Sequence, residues 1–151
     1  MIQKILCPLD FSAHSRMTLD CAVSLAKAFD AKLILYYVVE SVHGEDMFLV
    51  LAMTPQEIEE RLEQQAKERM QAIVADIKDD IDLEVEFGKG KAFVEIIKKA
   101  RVEDVDLIVI GSRGNSSLPH ILLGGVAEKV ARKAPCSVLI VKDKNSVFRM
   151  P

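Results

Sequence analysis

Gly111, Gly114, Gly124 and Gly125, with Arg113 between the first two, form the stretch of this sequence best suited to hold an anion. Glycine lets backbone amides approach a negative group closely and permits a positive φ. Gly111 and Gly114 directly follow an apolar run, and Gly124 and Gly125 open a helical one. A helix N-terminus offers free N–H groups and the positive end of the dipole, which favours phosphate. Here those groups would be the amides of Gly125, Val126 and Ala127. Arg113 could add a bidentate contact. On spacing alone, the same glycines fit two plain strand–helix turns equally well. Other phosphate loops are absent: there is no G-x-x-x-x-G-K-[ST] pattern, and no G-x-G-x-x-G follows the first strand. Gly88-Lys89-Gly90 lacks a third glycine and reads as a turn.

A second polar exit is Pro8-Leu9-Asp10, at the end of the first apolar run. Asp10 could face a ligand, or serve only the electrostatics of the helix that follows. Ser112, Ser116 and Ser117 invite a nucleophile reading, but no G-x-S-x-G elbow is present and no histidine partner is implied. His14, His43 and His120 show no metal-ligand spacing with one another or with cysteine. Cys7, Cys21 and Cys136 are odd in number and far apart, and read as reduced residues of the interior.

The elements that would position these residues alternate regularly. Strands are expected at 2–9, 32–39, 83–87, 106–110 and 137–141. Ser12 is expected to cap a first helix with Leu19, Ala22, Leu25, Ala26 and Phe29 on its buried face. Thr54-Pro55-Gln56-Glu57 is a strong helix start, with a capping box and proline at the first helical position. That helix should run to about residue 79, burying Ile58, Leu62, Ala66, Met70, Ile73 and Ile77. A third helix carries Phe93, Ile96, Ile97 and Ala100, and a fourth covers 125–133. Runs such as LILYYVV and DLIVI are apolar on both faces, which is the habit of covered parallel strands. The 83–87 strand alternates apolar and acidic residues, so it should lie at an edge or expose one face. The pattern predicts a doubly wound α/β sheet with helices on both faces, whose ligands bind beyond the strands' carboxyl ends.

The bulk properties narrow the function classes. A chain of 151 residues is one domain by length, expected over 1–143 with a loose tail at 144–151. Its formal charge of −3 gives no general attraction to nucleic acid or acidic membranes. The longest apolar run, 47–53, is too short to span a bilayer and reads as a packed helix, a cover or a partner surface. No secretory leader is evident, so a cytoplasmic location is expected.

The opening ILCPLDFS and the stretch DLIVIGSRGNSSLPHILLGGVAEKVARKAPCSVLIV resemble the universal stress protein family. Gly111, Gly114 and Gly124 fall on the G-x2-G-x9-G-[ST] pattern of its nucleotide-binding branch. The resemblance implies a Rossmann-like sheet of strand order 3-2-1-4-5 that binds ATP, with AMP, ADP or cyclic AMP as alternatives and Mg2+ only through the phosphates. It places adenine near the backbone of Val38 and the ribose near Asp10, Pro8 and Leu9. Gly114, Gly124 and the next few residues, Gly125, Val126 and Ala127, hold the phosphates, and Ile110, Gly111 and Arg113 complete the expected nucleotide site. It also implies a homodimer through the last strand. The sequence departs from the motif at Gly125, where Ser or Thr is expected, and at Ala127, where a second hydroxyl is common. One lost neutral hydrogen bond costs about 0.5–1.5 kcal/mol, so binding should weaken rather than vanish. A non-binding interaction protein of the same family is the alternative. A slow ATPase is a further alternative, although the sequence supplies no evident general base near the phosphates beyond Asp10 and the histidines, and no catalytic residue is assigned.

Overall fold

A computed structural model of the protein describes residues 1–40, 52–77, 80–114 and 123–143. The expectations for His43, for most of the 47–53 run, for Ser116, Ser117 and His120, and for the tail from 144 lie outside the described residues. Among the described residues five strands and four helices follow one another: β1 (Lys4–Pro8), α1 (Ser15–Phe29), β2 (Lys32–Val39), α2 (Pro55–Asp76), β3 (Leu83–Lys89), α3 (Ala92–Val102), β4 (Leu107–Gly111), α4 (Gly125–Lys133) and β5 (Ser137–Val141).

The strands form one parallel sheet in the order β3-β2-β1-β4-β5, as expected. Both faces are covered because alternate residues of the central strands are apolar in both directions. Ile5, Cys7, Leu33, Leu35 and Val109 point towards Leu19, Ala22 and Ala26 of α1 and Met70 of α2. Leu6, Ile34, Ile108 and Ile110 point towards Ile96 and Ala100 of α3 and Val130 of α4. Ile5, Leu6, Leu33, Ile34 and Leu35 are wholly buried. Each such side chain contributes roughly 1.5–3 kcal/mol, so these strands hold their places firmly. The edge strands β3 and β5 are less covered, as the acidic alternation in β3 predicts.

Thr54 closes the expected capping box on α2. The Glu57 amide donates to its hydroxyl at 3.2 Å, and the Thr54 amide donates to the Glu57 carboxylate at 2.7 Å. These bonds hold the exposed Glu57 carboxyl below the usual range. At the amino-terminal ends of the central strands, the amides of Gln3 and Lys4 donate to Asp106 at 2.8 and 3.0 Å. Asp106 thereby ties the start of β1 to the start of β4.

Several local expectations need correction. Ser12 does not cap α1: the helix starts at Ser15, behind His14, with no side-chain cap. Ser12 lies in a preceding turn, where its amide is taken by Asp10. Phe29 is 45% exposed rather than buried, because it falls on the last turn of α1, beyond the sheet's cover. Gly88 lies within β3 rather than in a turn, and Gly90, at φ +133°, makes the turn alone. The second helix ends at Asp76.

Candidate nucleotide site

The winding reverses between β1 and β4, which lie side by side at the middle of the sheet. Their carboxyl ends therefore open a crevice between diverging connections. A cleft of about 290 Å³ occupies this position. It is bordered by Pro8, Leu9 and Asp10 from β1, Val38 from β2, Ile110, Gly111, Arg113 and Gly114 from β4, and Gly124, Gly125, Val126 and Ala127 from α4. All twelve residues singled out from the sequence are thus brought together.

The β1 exit is tightly organised. Asp10 Oδ1 accepts from the Ser12 amide at 3.0 Å and from the Ser15 hydroxyl at 2.9 Å. Its other oxygen faces Gly114, where a Cβ would lie 2.6 Å from Oδ2. Only glycine lets the β4 loop approach the carboxylate so closely. Asp10 therefore has a structural use as well as a place in the cleft. Phe11 follows at φ +58°, a left-handed conformation that costs a non-glycine residue roughly 1–2 kcal/mol. The turn sends its ring away from the cleft onto Tyr37, 4.6 Å between centroids, with the Arg69 guanidinium 5.6 Å above.

The β4 exit is anchored by Ser112. Its amide donates to Val141 at 2.8 Å, and its carbonyl accepts from the Gly124 amide at 2.6 Å. The second bond fixes the start of α4 against the end of β4. Gly124 caps α4 in an extended conformation and has no side chain to take the first-turn amides. Those of Gly125, Val126 and Ala127 lie at the cleft rim, where an anion would meet them along the helix dipole. Gly111 is also needed, since a Cβ there would lie 2.9 Å from the Thr18 hydroxyl. Gly125 differs: nothing lies within 4 Å of where its Cβ would be.

The cleft also gathers residues that the motifs did not mark. Ser15, Thr18 and His14 reach it from α1, Ala92 and Ile96 from α3, and Tyr36 from β2. Tyr36 could have been found from strand periodicity, since it lies two residues before Val38 on one face. Val38, Ala92 and Ile96 give the β2–α3 end an apolar lining beside the Glu40 carboxylate, whereas the β4–α4 end presents backbone amides. An amphiphilic ligand with a flat apolar part and an anionic part matches this division. Among the described residues no group of three His, Cys, Asp or Glu side chains could hold a metal ion. The three cysteines are free thiols; Cys7 is fully buried and its ionisation is strongly opposed by burial. Among those residues no helix is long and apolar enough to cross a membrane.

The sequence and the fold both have counterparts among known proteins. Residues 1–142 match the universal stress protein family. The chain is 34% identical to universal stress protein MJ0577 of Methanocaldococcus jannaschii, over 97% of this chain and 98% of that one. It is 32% identical to universal stress protein YxiE of Bacillus subtilis, over 94% of this chain and all 100% of the relative. The solved structure of MJ0577 superposes with a TM-score of 0.82 at 33% identity, covering 97% and 99% of the two chains. A universal stress protein solved in complex with cAMP superposes at 0.60, with 27% identity over 92% of this chain and 96% of the other. With near-complete coverage in each comparison, and with the glycine and aspartate positions meeting in one cleft, the chain belongs to the universal stress protein family.

Proposed function

We propose that this protein is an adenine-nucleotide receptor, with ATP as its ligand and a role in stress response or signalling. The observation that carries the reading is the meeting of the Asp10 exit and the glycine-capped start of α4 across one cleft, with Gly114 in contact distance of Asp10. In this reading adenine lies by the Val38 backbone and the ribose beside Asp10, Pro8 and Leu9. The phosphates meet the backbone from Ile110 to Gly114, the Arg113 guanidinium, and the amides following Gly124. Mg2+ would arrive with the phosphates. The family relative solved with cAMP supports a nucleotide in this fold. Calorimetric titration with ATP, ADP, AMP and cyclic AMP tests the reading. Saturable binding of at least one is expected; no binding of any at millimolar concentration would refute it.

A second reading, a family member that acts through protein contacts without nucleotide, is favoured by Gly125 and Ala127. Neither supplies the hydroxyl of the motif. Native mass spectrometry separates the two, because a copurifying nucleotide argues against the second. In either case we propose a homodimer through β5. Among the described residues that strand has a hydrogen-bonded neighbour only on its β4 side, and Leu139 is 38% exposed. An uncovered apolar edge is an association surface.

A further inference from the structure

Tyr36 lies on the same sheet face as Val38 and borders the cleft, yet only 4% of the residue is exposed. Its ring crosses from β2 onto β3. A Cβ at Gly88 would lie 2.1 Å from the phenol oxygen. Gly88 pairs in register with Val38, not with Tyr36. The ring therefore leans along the strands towards their carboxyl ends, where the cleft opens. The side chain missing at position 88 is what makes room for it. Lys99 Nζ stands 6.0 Å from the ring centroid. That ammonium is itself held by Glu86 and, at 3.3 Å, by Glu103. Burial would pull the Lys99 pKa down, but these two carboxylates outweigh it and raise the value. The ring is thus fixed by a charged neighbour and by the β3 backbone.

The Tyr36 hydroxyl has no hydrogen-bond partner among the described residues. It is not sealed either, since no fully buried side-chain oxygen or nitrogen there lacks a partner. A phenol in so buried a residue normally finds a partner, because leaving it unmade wastes its desolvation. Burial pushes its pKa up, so at neutral pH it keeps its proton and can both donate and accept.

We infer that Tyr36 is a specificity-determining residue of the cleft, its hydroxyl hydrogen-bonding the base edge of a bound adenine nucleoside or nucleotide beside Val38. The assignment rests on the nucleotide reading above. It adds a side-chain contact at the base end, remote from the phosphate end where Gly125 and Ala127 lack hydroxyls. The contact is independent of the phosphates, so adenosine, AMP and ATP should gain from it equally.

Tyr36→Phe tests this by calorimetry with those three ligands. The expected result is roughly a three- to tenfold rise in Kd, by the same factor for each, with the melting temperature unchanged because the hydroxyl bonds none of the described residues. Gly88→Ala displaces the phenol instead of deleting its oxygen and should raise the three Kd values by a common factor too, with a lower melting temperature from overpacking. If Tyr36→Phe binds all three ligands within twofold of wild type, the assignment of Tyr36 falls and the nucleotide reading stands. A loss confined to AMP and ATP also overturns it, since that would mark a disturbance of the phosphate end. If the wild-type protein binds none of the three, both readings fall together.

Discussion

Gly125→Ser should strengthen ATP binding and leave adenosine binding unchanged. Gly125 is the first residue of α4 and is exposed, and no atom lies within 4 Å of its prospective Cβ. A serine side chain therefore enters without displacing anything. Its hydroxyl would sit beside the first-turn amides, where the nucleotide reading puts phosphate. A hydrogen bond to a charged group is worth about 1.5–3 kcal/mol in protected settings, and the exposure of this site argues for about 1 kcal/mol. That corresponds to roughly a fivefold fall in Kd. Serine is also a better helix former than glycine, so the melting temperature should rise slightly or hold. Calorimetry with ATP and adenosine on both proteins supplies the ratio that matters. An ATP Kd that stays within twofold, with folding intact, would show that the α4 terminus does not meet phosphate. An equal gain for adenosine would show that the serine acts on the protein rather than on the ligand.

Three further outcomes follow from other parts of the molecule. Gly114→Ala places a methyl group 2.6 Å from Asp10 Oδ2, a carboxylate already engaged by Ser12 and Ser15. Overpacking of this kind costs about 1–3 kcal/mol, visible as a lower midpoint in urea, and adenosine and ATP should both lose at least about tenfold in affinity. The amides of Gln3 and Lys4 hold the Asp106 pKa below its ordinary value, so its stabilisation is present above the unfolded pKa and is lost as pH falls through the folded one. Asp106→Asn should therefore lower the melting temperature at pH 7, with the gap to wild type closing from about pH 5 downwards; a gap independent of pH would refute the charge-based account. Leu139→Lys puts a charge on the exposed edge strand β5 and should convert a dimer to a monomer in light scattering without changing circular dichroism.

The elements were legible where one local rule decided them. β2 and β4 are continuous apolar runs, and the parallel sheet supplies the two covered faces such runs require. The start of α2 was readable because Thr54, Pro55 and Glu57 satisfy its first turn among themselves. Ser12 failed as a cap because the competition there was between two side chains. The longer-reaching Asp10 carboxylate took the Ser12 amide and the Ser15 hydroxyl, and the helix started later. The left-handed Phe11 was equally hidden: no propensity assigns that conformation to phenylalanine, and its ring contacts with Tyr37 and Arg69 account for the direction it takes.

The cleft shows the same division between local and remote causes. Its glycine-rich β4–α4 end lies in one continuous motif, so glycine spacing was enough to mark it, though not to separate a ligand loop from a tight turn. What separates them is contact between segments distant in sequence. Gly114 is required by Asp10 and Gly111 by Thr18, so these two glycines answer to close packing, whereas none of the described residues demands a glycine at 125. A glycine that no neighbour demands, on the rim of a cleft and at a helix start, is the position where substitution tests the ligand rather than the fold. Tyr36 and Gly88 form the converse case. One is large and the other has no side chain, they belong to adjacent strands, and their fit exists only once β2 and β3 are in register. No reading of either segment alone could pair them, so the β2–β3 end of the cleft is a product of tertiary structure where the glycine-rich β4–α4 end is a product of sequence.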